Sequence, residues 1–410
     1  MAALFPFRAL RPRPADAARV ASVPYDVVST DEARQLAADN PLSFLRVSRA
    51  ELELPEGTDP YAPAVYERAA ANFATLKAQA LELEAEPTLY LYRLRMGAHE
   101  QIGLAACFSI DEYDANIIRK HEKTRRDKED DRTRHMLALG AQTGPVFLTY
   151  RASADVDAIV RRAATAPPLF EFTAVDGVRH TIWRVTGNDR EALVAAFARI
   201  PALYIADGHH RAASAARTRA EMRQASRPGE PLGDGADVNT VLAVAFPHDQ
   251  VQVLPYHRVV KDLGGRSPAQ FVQRVEEAFT VGPGRAAPSG RGEVAMYLDG
   301  RWSALKPRVA PAAADPIGSL DVSVLQDRLL APILGITDVR TDKRIDFVGG
   351  IRGTGELERL VDTGKAAVAF SLFPVSVSDL IAVSDAGAIM PPKSTWFEPK
   401  LRDGLLIHLI

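Results

Sequence analysis

Short apolar runs and helical spacings follow one another along this chain without a regular strand–helix–strand rhythm. Apolar and polar residues alternate strictly over 88–96, which predicts a strand, and an apolar run predicts its hairpin partner over 101–110. Over 61–83 the apolar spacing is that of a helix. Because helices and short strands interleave irregularly, the pattern favours an α+β fold over a doubly wound sheet.

The same patterns predict further elements. Strands are expected at 43–48, 145–150, 203–206, in two arms within 170–185 around Asp176-Gly177, at 239–246 paired with 250–256, at 293–298 paired with 302–305, and at 344–348. Helices are expected over 29–39, 156–164, 188–199 and 268–279, and near 322–334. The charged stretch that follows residue 118 is expected to continue as a helix that ends at 139. Loops are expected at 226–238 and 281–292. The second loop divides the chain into a segment 1–280 and a C-terminal α+β segment 293–410, and we expect the C-terminal segment to pack on the first one.

Composition and charge narrow the class of protein. The chain has 410 residues, of which 47% are hydrophobic and 25% are charged, as in a soluble globular protein of more than one domain. Fifty Lys and Arg against 52 Asp and Glu leave no basic excess, so nucleic-acid binding is not expected. No apolar run approaches the ~18 residues of a membrane span, and no signal peptide is recognisable, so we expect a cytoplasmic protein that does not bind membranes. The chain has a single cysteine, Cys107, so it cannot form an intramolecular disulfide. The composition is compatible with a homo-oligomer.

The candidate chemistry centres on the segment Asp207–Arg211, which separates the strand expected at 203–206 from an Ala-rich helix. A strand that turns through a glycine into a helix leaves the first helical N–H groups pointing at one spot. The helix dipole, an arginine and two histidines add positive potential there. This pattern predicts a phosphate or carboxylate site, although an ordinary surface turn capped by Asp207 is the alternative.

Familiar phosphate and metal motifs are missing from the sequence. It contains no Walker motif, no Gly-x-Gly-x-x-Gly and no Cys/His cluster with the spacing of a zinc site. If a nucleotide binds, it therefore binds through another architecture.

The most charged stretch, 119–132, has two interpretations. It is either a solvated helical face with ion pairs one turn apart, or part of a phosphoryl-transfer site. In the second case Glu122 would orient an acceptor hydroxyl and take its proton, while Lys128 and Arg132 would neutralise the charge on the phosphates.

Three further segments place polar groups beside a proline-fixed backbone: 24–26, 255–258 and 390–401. Each is either ordinary surface or part of a ligand site. The candidate residues in them are Tyr25, Asp26, His257, Arg258, Lys393, Ser394 and Thr395.

Five ordered motifs resemble the bacterial and archaeal family known as domain of unknown function 1015. They are Pro-Tyr-Asp-Val from 24, Arg-Lys-His-Glu-Lys-Thr from 119, Ala-Asp-Gly-His-His-Arg from 206, Leu-Pro-Tyr-His-Arg-Val-Val from 254, and Met-Pro-Pro-Lys-Ser-Thr-Trp-Phe-x-Pro-Lys from 390. The resemblance extends over essentially the whole chain.

That family is similar to the ParB/sulfiredoxin-like superfamily, in which a strand–Gly–helix turn holds the phosphates of a nucleotide. The resemblance implies a ParB/sulfiredoxin-like core of short mixed strands and helices within 1–280, with additional N- and C-terminal segments. The Asp-Gly-His-x-Arg form is similar to that of the free serine kinases, which phosphorylate L-serine to O-phospho-L-serine. The residues that would form the phosphate cradle are Asp207, Gly208, His209, His210 and Arg211.

The resemblance therefore implies a small-molecule kinase that acts on free L-serine. The donor would be ATP or ADP, with pyrophosphate as a further option, and Mg²⁺ would accompany it through Asp207. Glu122 or Asp26 would orient the serine hydroxyl, and Arg258 or Lys393 would bind its carboxylate. Two alternatives stay open: a non-catalytic, nucleotide-responsive regulatory protein, and a nucleotide hydrolase.

Overall fold

Helices and sheets mix in both of the compact units that make up the computed structural model, which describes residues 2–225, 237–312 and 314–410. The first unit comprises Met1–Lys120, Thr124–Val251 and Pro399–Ile410, and the second comprises His121–Lys123 and Gln252–Glu398. The α+β prediction is confirmed. The predicted boundary at 281–292 lies inside the second unit, and a nucleotide-binding core over 1–280 stays a prediction.

The described residues form strands and helices that we number in chain order. The strands are β1 (Leu4–Phe5), β2 (Leu10–Pro12), β3 (Leu81–Leu83), β4 (Leu89–Met96), β5 (His99–Ser109), β6 (Ile118–Arg119), β7 (Ala141–Gln142), β8 (Val146–Tyr150), β9 (Phe170–Thr173), β10 (Arg179–Val185), β11 (Leu203–Asp207), β12 (Thr240–Pro247), β13 (Gln252–Leu254), β14 (Tyr256–Val260), β15 (Phe279–Pro283), β16 (Val294–Leu298), β17 (Arg301–Pro307), β18 (Ile345–Gly349), β19 (Val368–Leu372), β20 (Trp396–Glu398) and β21 (His408–Leu409). The α-helices are α1 (Ala17–Val20), α2 (Thr30–Ala37), α3 (Leu45–Ser48), α4 (Pro63–Gln79), α5 (Ile110–Asp114), α6 (Arg126–Leu139), α7 (Ala154–Ala163), α8 (Asn188–Phe197), α9 (His209–Ala225), α10 (Pro268–Val275), α11 (Asp321–Leu325), α12 (Gly355–Asp362) and α13 (Val377–Asp385).

The first unit is built on a mixed sheet in the order β6-β11-β8-β12-β5-β4-β10-β9, with β1 paired to β5. β11 lies parallel to β6 and antiparallel to β8. Buried side chains such as Leu148 and Ile205 form its main core, and Ala212 and Ala215 of α9 belong to the same cluster. The end of β11 and the start of α9 are thus held by a well-packed core.

The C-terminal segment of the first unit returns to residues near the N-terminus. β21 pairs with β7, and Ile407 and Asp403 form backbone bridges to Leu10 and Ser22. This return places residues 399–410 next to segments that are far away in sequence.

The second unit contains an antiparallel sheet in the order β15-β17-β16-β19-β14-β18 and a separate ribbon of β13 and β20. A cluster that includes Val259, Val348 and Leu357 is buried with this sheet. A single π-helical turn, Gln326–Leu330, follows α11.

The strand predicted at 43–48 is wrong, because Leu45–Ser48 forms α3. The N–H of Leu45, which has no partner within the helix, donates to the hydroxyls of Ser22 at 3.2 Å and Ser43 at 3.3 Å. Short apolar runs do not distinguish a buried helical turn from a strand.

The hairpin predicted between 239–246 and 250–256 is also wrong. β12 pairs with β5 and β8, whereas β13 pairs with β20. Pro255 separates β13 from β14 because it has no N–H to continue a ladder. The helices predicted over 61–83 and 268–279 end earlier, at Gln79 and Val275, and strands begin at Leu81 and Phe279.

The loop predicted at 226–238 lies outside the described residues, except for 237–238, which begin a short 3-10 helix, Asp237–Asn239. Of the helices in the described ranges, none combines the length and the apolar character that crossing a bilayer requires.

Candidate functional site

The predicted strand–turn–helix around Gly208 is confirmed. β11 ends at Asp207, and α9 begins at His209. Gly208 has a φ of +94°, and a Cβ there would lie 3.0 Å from Nε of Arg211. Glycine is needed for the backbone angle and for the Arg211 side chain that folds back over the turn.

Asp207 is held as an ionised carboxylate. Its Oδ2 accepts a hydrogen bond from Nζ of Lys400 at 2.9 Å, and Oδ1 lies 3.9 Å from Nη2 of Arg211. Burial alone would raise the pKa of Asp207, but the charges of Lys400 and Arg211 hold it well below its ordinary value.

Arg211 is a buried cation, with only 5% of its surface exposed. Nη1 donates to the carbonyl of Pro145, while Nε has no hydrogen-bond partner among the described residues. Burial opposes the charge, but Asp207, Asp26 and Asp403 raise the pKa of Arg211, in that order of effect. A buried N–H without a partner is rare in folded proteins and is accounted for by an added ligand or water.

Asp403 is the second buried carboxylate near this arginine. It is 3% exposed, and its Oδ1 has no hydrogen-bond partner in the described part of the chain. A Cβ at Gly144 would lie 2.5 Å from that oxygen, so Gly144 makes room for it. Burial raises the pKa of Asp403 to about 7, although Arg211 opposes the shift, and the charge of Asp26 adds to it.

The turn that contains Tyr25 and Asp26 is fixed by Arg49. Nη1 of Arg49 donates to the carbonyls of Tyr25 and Val28, both at 2.8 Å, and Nη2 donates to Oγ1 of Thr30 at 2.7 Å. Asp26 is itself exposed. A carboxylate on a rigid turn, close enough to influence Arg211, is thus available at the surface of the first unit.

The N-termini of two helices meet beside the turn. The N–H of Arg125, which precedes α6, donates to Nε2 of His210 at 3.0 Å, and His210 is the second residue of α9. Nε2 of His210 therefore acts as the hydrogen-bond acceptor in this contact. Both helix dipoles contribute positive potential at this place. His209 is buried in the same first turn.

Lys128 and Arg132, which were predicted to bind phosphates, lie on α6 and contact tyrosines. Nζ of Lys128 donates to the hydroxyl of Tyr61 at 2.8 Å. The guanidinium of Arg132 pairs with Asp131 and lies 4.0 Å from the ring centroid of Tyr25. These residues line a cavity of about 90 Å³ in the first unit. Their phosphate-binding role stays a prediction.

The remaining predicted residues lie in the second unit. Glu122 is half-buried in the segment His121–Lys123, whose His121 carbonyl accepts the N–H of Met390 at 2.8 Å. The predicted substrate-binding residues of this unit are His257, Arg258, Lys393, Ser394 and Thr395.

His257 and Ser394 are occupied by hydrogen bonds within that unit. Nδ1 of His257 accepts the N–H of Leu372 at 3.3 Å, and burial, with a smaller effect of Arg258, lowers the pKa of His257 to about 4. The hydroxyl of Ser394 donates to the carbonyl of Pro391 at 2.5 Å.

Lys393 and Thr395 flank Ser394 on the same tail. Lys393 adopts a left-handed backbone with a φ of +59°, and its Nζ lies 5.7 Å from the ring centroid of Tyr256. Thr395 is half-buried. Their role in substrate binding stays a prediction.

Sequence reasoning missed Lys400, Asp403 and Arg49. Lys400 is the last residue of the tail motif, which was the one available signal for it. Asp403 and Arg49 carry no local signal, since each acts through contacts with residues distant in sequence.

The family model described as protein of unknown function (DUF1015) matches residues 4–323. The chain belongs to this family. None of the curated protein sequences matches it.

Several solved structures are similar to this chain at low sequence identity. A conserved hypothetical protein from Pyrococcus furiosus is 14% identical, with a TM-score of 0.37, over 74% of this chain and 95% of its own. A free serine kinase in complex with AMP is 14% identical, with a TM-score of 0.37, over 73% and 92%. A C-terminally truncated SbnI from Staphylococcus aureus is 13% identical, with a TM-score of 0.40, over 74% and 87%.

Proposed function

We propose that this DUF1015 protein is a nucleotide-dependent small-molecule kinase with a ParB/sulfiredoxin-like core, and that its acceptor is free L-serine. The observation that carries the proposal is the turn from Asp207 to Arg211 in the first unit. It combines a helix N-terminus, a glycine with a positive φ, and a buried arginine whose Nε–H has no hydrogen-bond partner within the described ranges.

The turn has the properties that a phosphate group requires. Gly208 makes room for the guanidinium of Arg211 over the turn, and the N-terminus of α9 favours a negative charge beside it. The N-terminus of α6 adds a second dipole through the contact between Arg125 and His210. The phosphates of the donor would lie here.

Asp26 is the group that we assign to activate the acceptor. It is an exposed carboxylate in the same unit as the turn, on a backbone that Arg49 fixes. In the transfer, Asp26 accepts the proton of the serine hydroxyl as the serine oxygen bonds to the terminal phosphorus of the donor. The bond from that phosphorus to the bridging oxygen breaks, and the shortened nucleotide leaves with the electron pair. Glu122 is the alternative base from the sequence.

Asp207 is not suited to bind Mg²⁺ directly, because its carboxylate already pairs with Lys400 and Arg211. Nor do three or more His, Cys, Asp or Glu side chains of the described ranges come together as a metal site. Mg²⁺ is commonly held by substrate phosphates and water. We therefore expect it to arrive with the nucleotide.

The test is phosphoserine formation by the purified full-length protein with Mg²⁺, L-serine and, in parallel, ATP, ADP or pyrophosphate. We expect product with one of these donors. Asp26→Asn should abolish transfer and keep nucleotide binding, whereas Asp31→Asn, at an exposed aspartate of α2, should leave both unchanged. In Arg211→Ala, with the fold verified by circular dichroism, nucleotide binding should be lost.

Three results would contradict the kinase proposal. The absence of phosphoserine with every donor contradicts it directly. If a nucleotide binds without transfer, the protein is a nucleotide-responsive binding protein. If a nucleotide is consumed without serine, it is a hydrolase.

A further inference from the structure

In the second unit, a buried arginine that has no carboxylate partner among the described residues lines a cavity. Arg258, on β14, is 2% exposed. Nη1 donates to the carbonyl of Tyr256, Nη2 donates to the carbonyl of Pro392 at 3.3 Å, and the guanidinium lies 5.1 Å from the ring centroid of Phe347. Within the described ranges, no Asp or Glu forms an ion pair with Arg258.

This arrangement is costly for a cation. Two neutral carbonyls and an aromatic ring do not replace the hydration of a guanidinium as a carboxylate would. Burial accordingly lowers the pKa of Arg258 to about 10. By contrast, Arg211, a buried arginine of the first unit, has aspartates around it. Among the described residues, Arg258 thus has no carboxylate paired with it.

The cavity beside Arg258 has a volume of about 260 Å³, which is enough for a molecule of amino-acid size. Its lining residues are Arg258, Val322, Gln326, Leu330, Thr337, Asp338, Val339, Arg340, Pro391 and Pro392. The carboxylate on this wall, Asp338, binds Arg340 through two hydrogen bonds of 3.0 Å. Asp338 is therefore committed to another cation.

The backbone at the cavity is unusual. Gln326 and Leu330 are the first and last residues of the π-helical turn, and both line the cavity. π-Helical turns are rare and occur frequently at functional sites. This observation is independent of the charge of Arg258 and points to the same place.

We propose that this cavity is a binding site for a small carboxylic acid of amino-acid size, whose carboxylate pairs with Arg258. The guanidinium fork matches a carboxylate, and the apolar side chains of Val322, Leu330 and Val339 would contact the rest of the ligand. For the kinase substrate, the sequence analysis left two candidate contacts to the carboxylate, Arg258 and Lys393. All the residues that would bind this ligand belong to the second unit, so the site does not depend on the proposed kinase activity.

The test is calorimetric titration of the full-length protein with L-serine and L-leucine. Their amides, which lack the carboxylate, and inorganic phosphate serve as comparison probes. We expect saturable binding of at least one amino acid, and binding about tenfold weaker or less for its amide and for phosphate.

Two variants locate the site. Arg258→Gln should weaken binding of the amino acid by about tenfold or more. Val339→Phe, at a half-buried position, should block the cavity without removing a charge or a core residue. Arg301→Gln, at an exposed arginine of the same unit, should bind as the wild type does.

The proposal is overturned if neither amino acid binds, if phosphate or the amides bind as tightly, or if Val339→Phe retains wild-type affinity. Because Val339→Phe keeps Arg258, a folding defect in Arg258→Gln does not weaken the test. Nucleotide binding should be unchanged in Val339→Phe, which separates this site from the turn at Gly208.

Discussion

At the scale of single residues, the first unit keeps opposite charges together in places where water is largely excluded. Arg211 is buried with Asp207 nearby, and Lys400 binds the other oxygen of that carboxylate. Removing one member of a buried ion pair leaves an uncompensated charge in the interior. The resulting loss of folding free energy is larger than the net stabilisation that the pair provides. The charges of this cluster therefore depend on one another.

Gly208→Ala should weaken nucleotide binding by about tenfold or more, because the new Cβ would meet the guanidinium of Arg211. The left-handed backbone angle alone should cost about 1–3 kcal/mol of stability. Gly177→Ala is the matched control, since Gly177 has a φ of +79° with nothing within 4 Å of its Cβ position. Titration with ADP and urea unfolding of both variants separate the two effects. Equal nucleotide affinity in both variants would contradict the assignment.

Asp403 should make stability depend on pH. Burial raises its folded pKa to about 7, above the ~3.9 of an unfolded aspartate, so the folded state binds the extra proton. The stabilisation is complete below about pH 4 and is lost as the pH rises through about 7. The stability of the wild type relative to Asp403→Asn should fall by on the order of 2–4 kcal/mol between pH 4 and 8.

Urea unfolding of the two proteins across this pH range measures the difference. Histidines with lowered pKa values, such as His135, titrate in both proteins and cancel. Asp39→Asn, at an exposed aspartate, should follow the wild type. Parallel curves for wild type and Asp403→Asn would contradict a raised pKa of Asp403 in the folded state.

At the scale of elements, one arginine holds the turn before α2. Ser29 and Glu32 form a capping box at the start of this helix, and Arg49 binds the carbonyls that precede it. The helix start and the position of Asp26 are therefore set by different groups.

Arg49→Met should destabilise the protein by about 2–3 kcal/mol, since it leaves the carbonyls of Tyr25 and Val28 and the carboxylate of Glu51 without their cationic donor. Phosphoserine formation should fall more than nucleotide affinity, because Asp26 loses its fixed position. Arg34→Ala, at a partly exposed arginine of α2, should change stability by less than about 0.5 kcal/mol. If Arg49→Met keeps full transfer activity, the turn does not position the base.

Local patterns were sufficient where an element is bounded by its own residues. The helix predicted from residue 29, the hairpin at Asp176-Gly177 and the turn at Gly208 follow from short-range geometry and are confirmed. The segment 43–48 and the partner of β13 were predicted wrongly, because tertiary contacts decide both. The period of an apolar run is not readable over four or five residues.

The candidate site was only half predictable for the same reason. The backbone turn at 207–211 is local, whereas Lys400 reaches Asp207 across 193 positions of sequence. Asp403 and Arg49 likewise act on residues far away in the chain. A single sequence gives the identities of these residues but does not show the tertiary contacts that bring them together.

At the scale of the whole molecule, the C-terminal segment is part of the first unit. Leu405, Leu406 and Ile407 are fully buried, and Lys400 and Asp403 belong to the charge cluster. Burial of each aliphatic side chain contributes about 1.5–3 kcal/mol. The segment therefore supports both the stability of the first unit and its candidate chemistry.

A chain that ends at Glu398 should lose on the order of 5–9 kcal/mol of stability and should not bind ADP. Deletion of Ile410 alone, which is half-buried, is the control and should cost about 1 kcal/mol. Urea unfolding followed by circular dichroism measures both. An unfolding midpoint for the long truncation equal to that of the full chain would contradict this role.

The most direct measurement of the central claim is hydrogen exchange of the intact wild-type protein with and without saturating Mg²⁺ and ADP. We expect slower exchange in peptides that cover the end of β11 and the first turn of α9, residues 203–212, and in the first turn of α6. Saturating ADP that leaves the exchange of residues 203–212 unchanged, or that protects other segments alone, would contradict the assignment of the phosphate site.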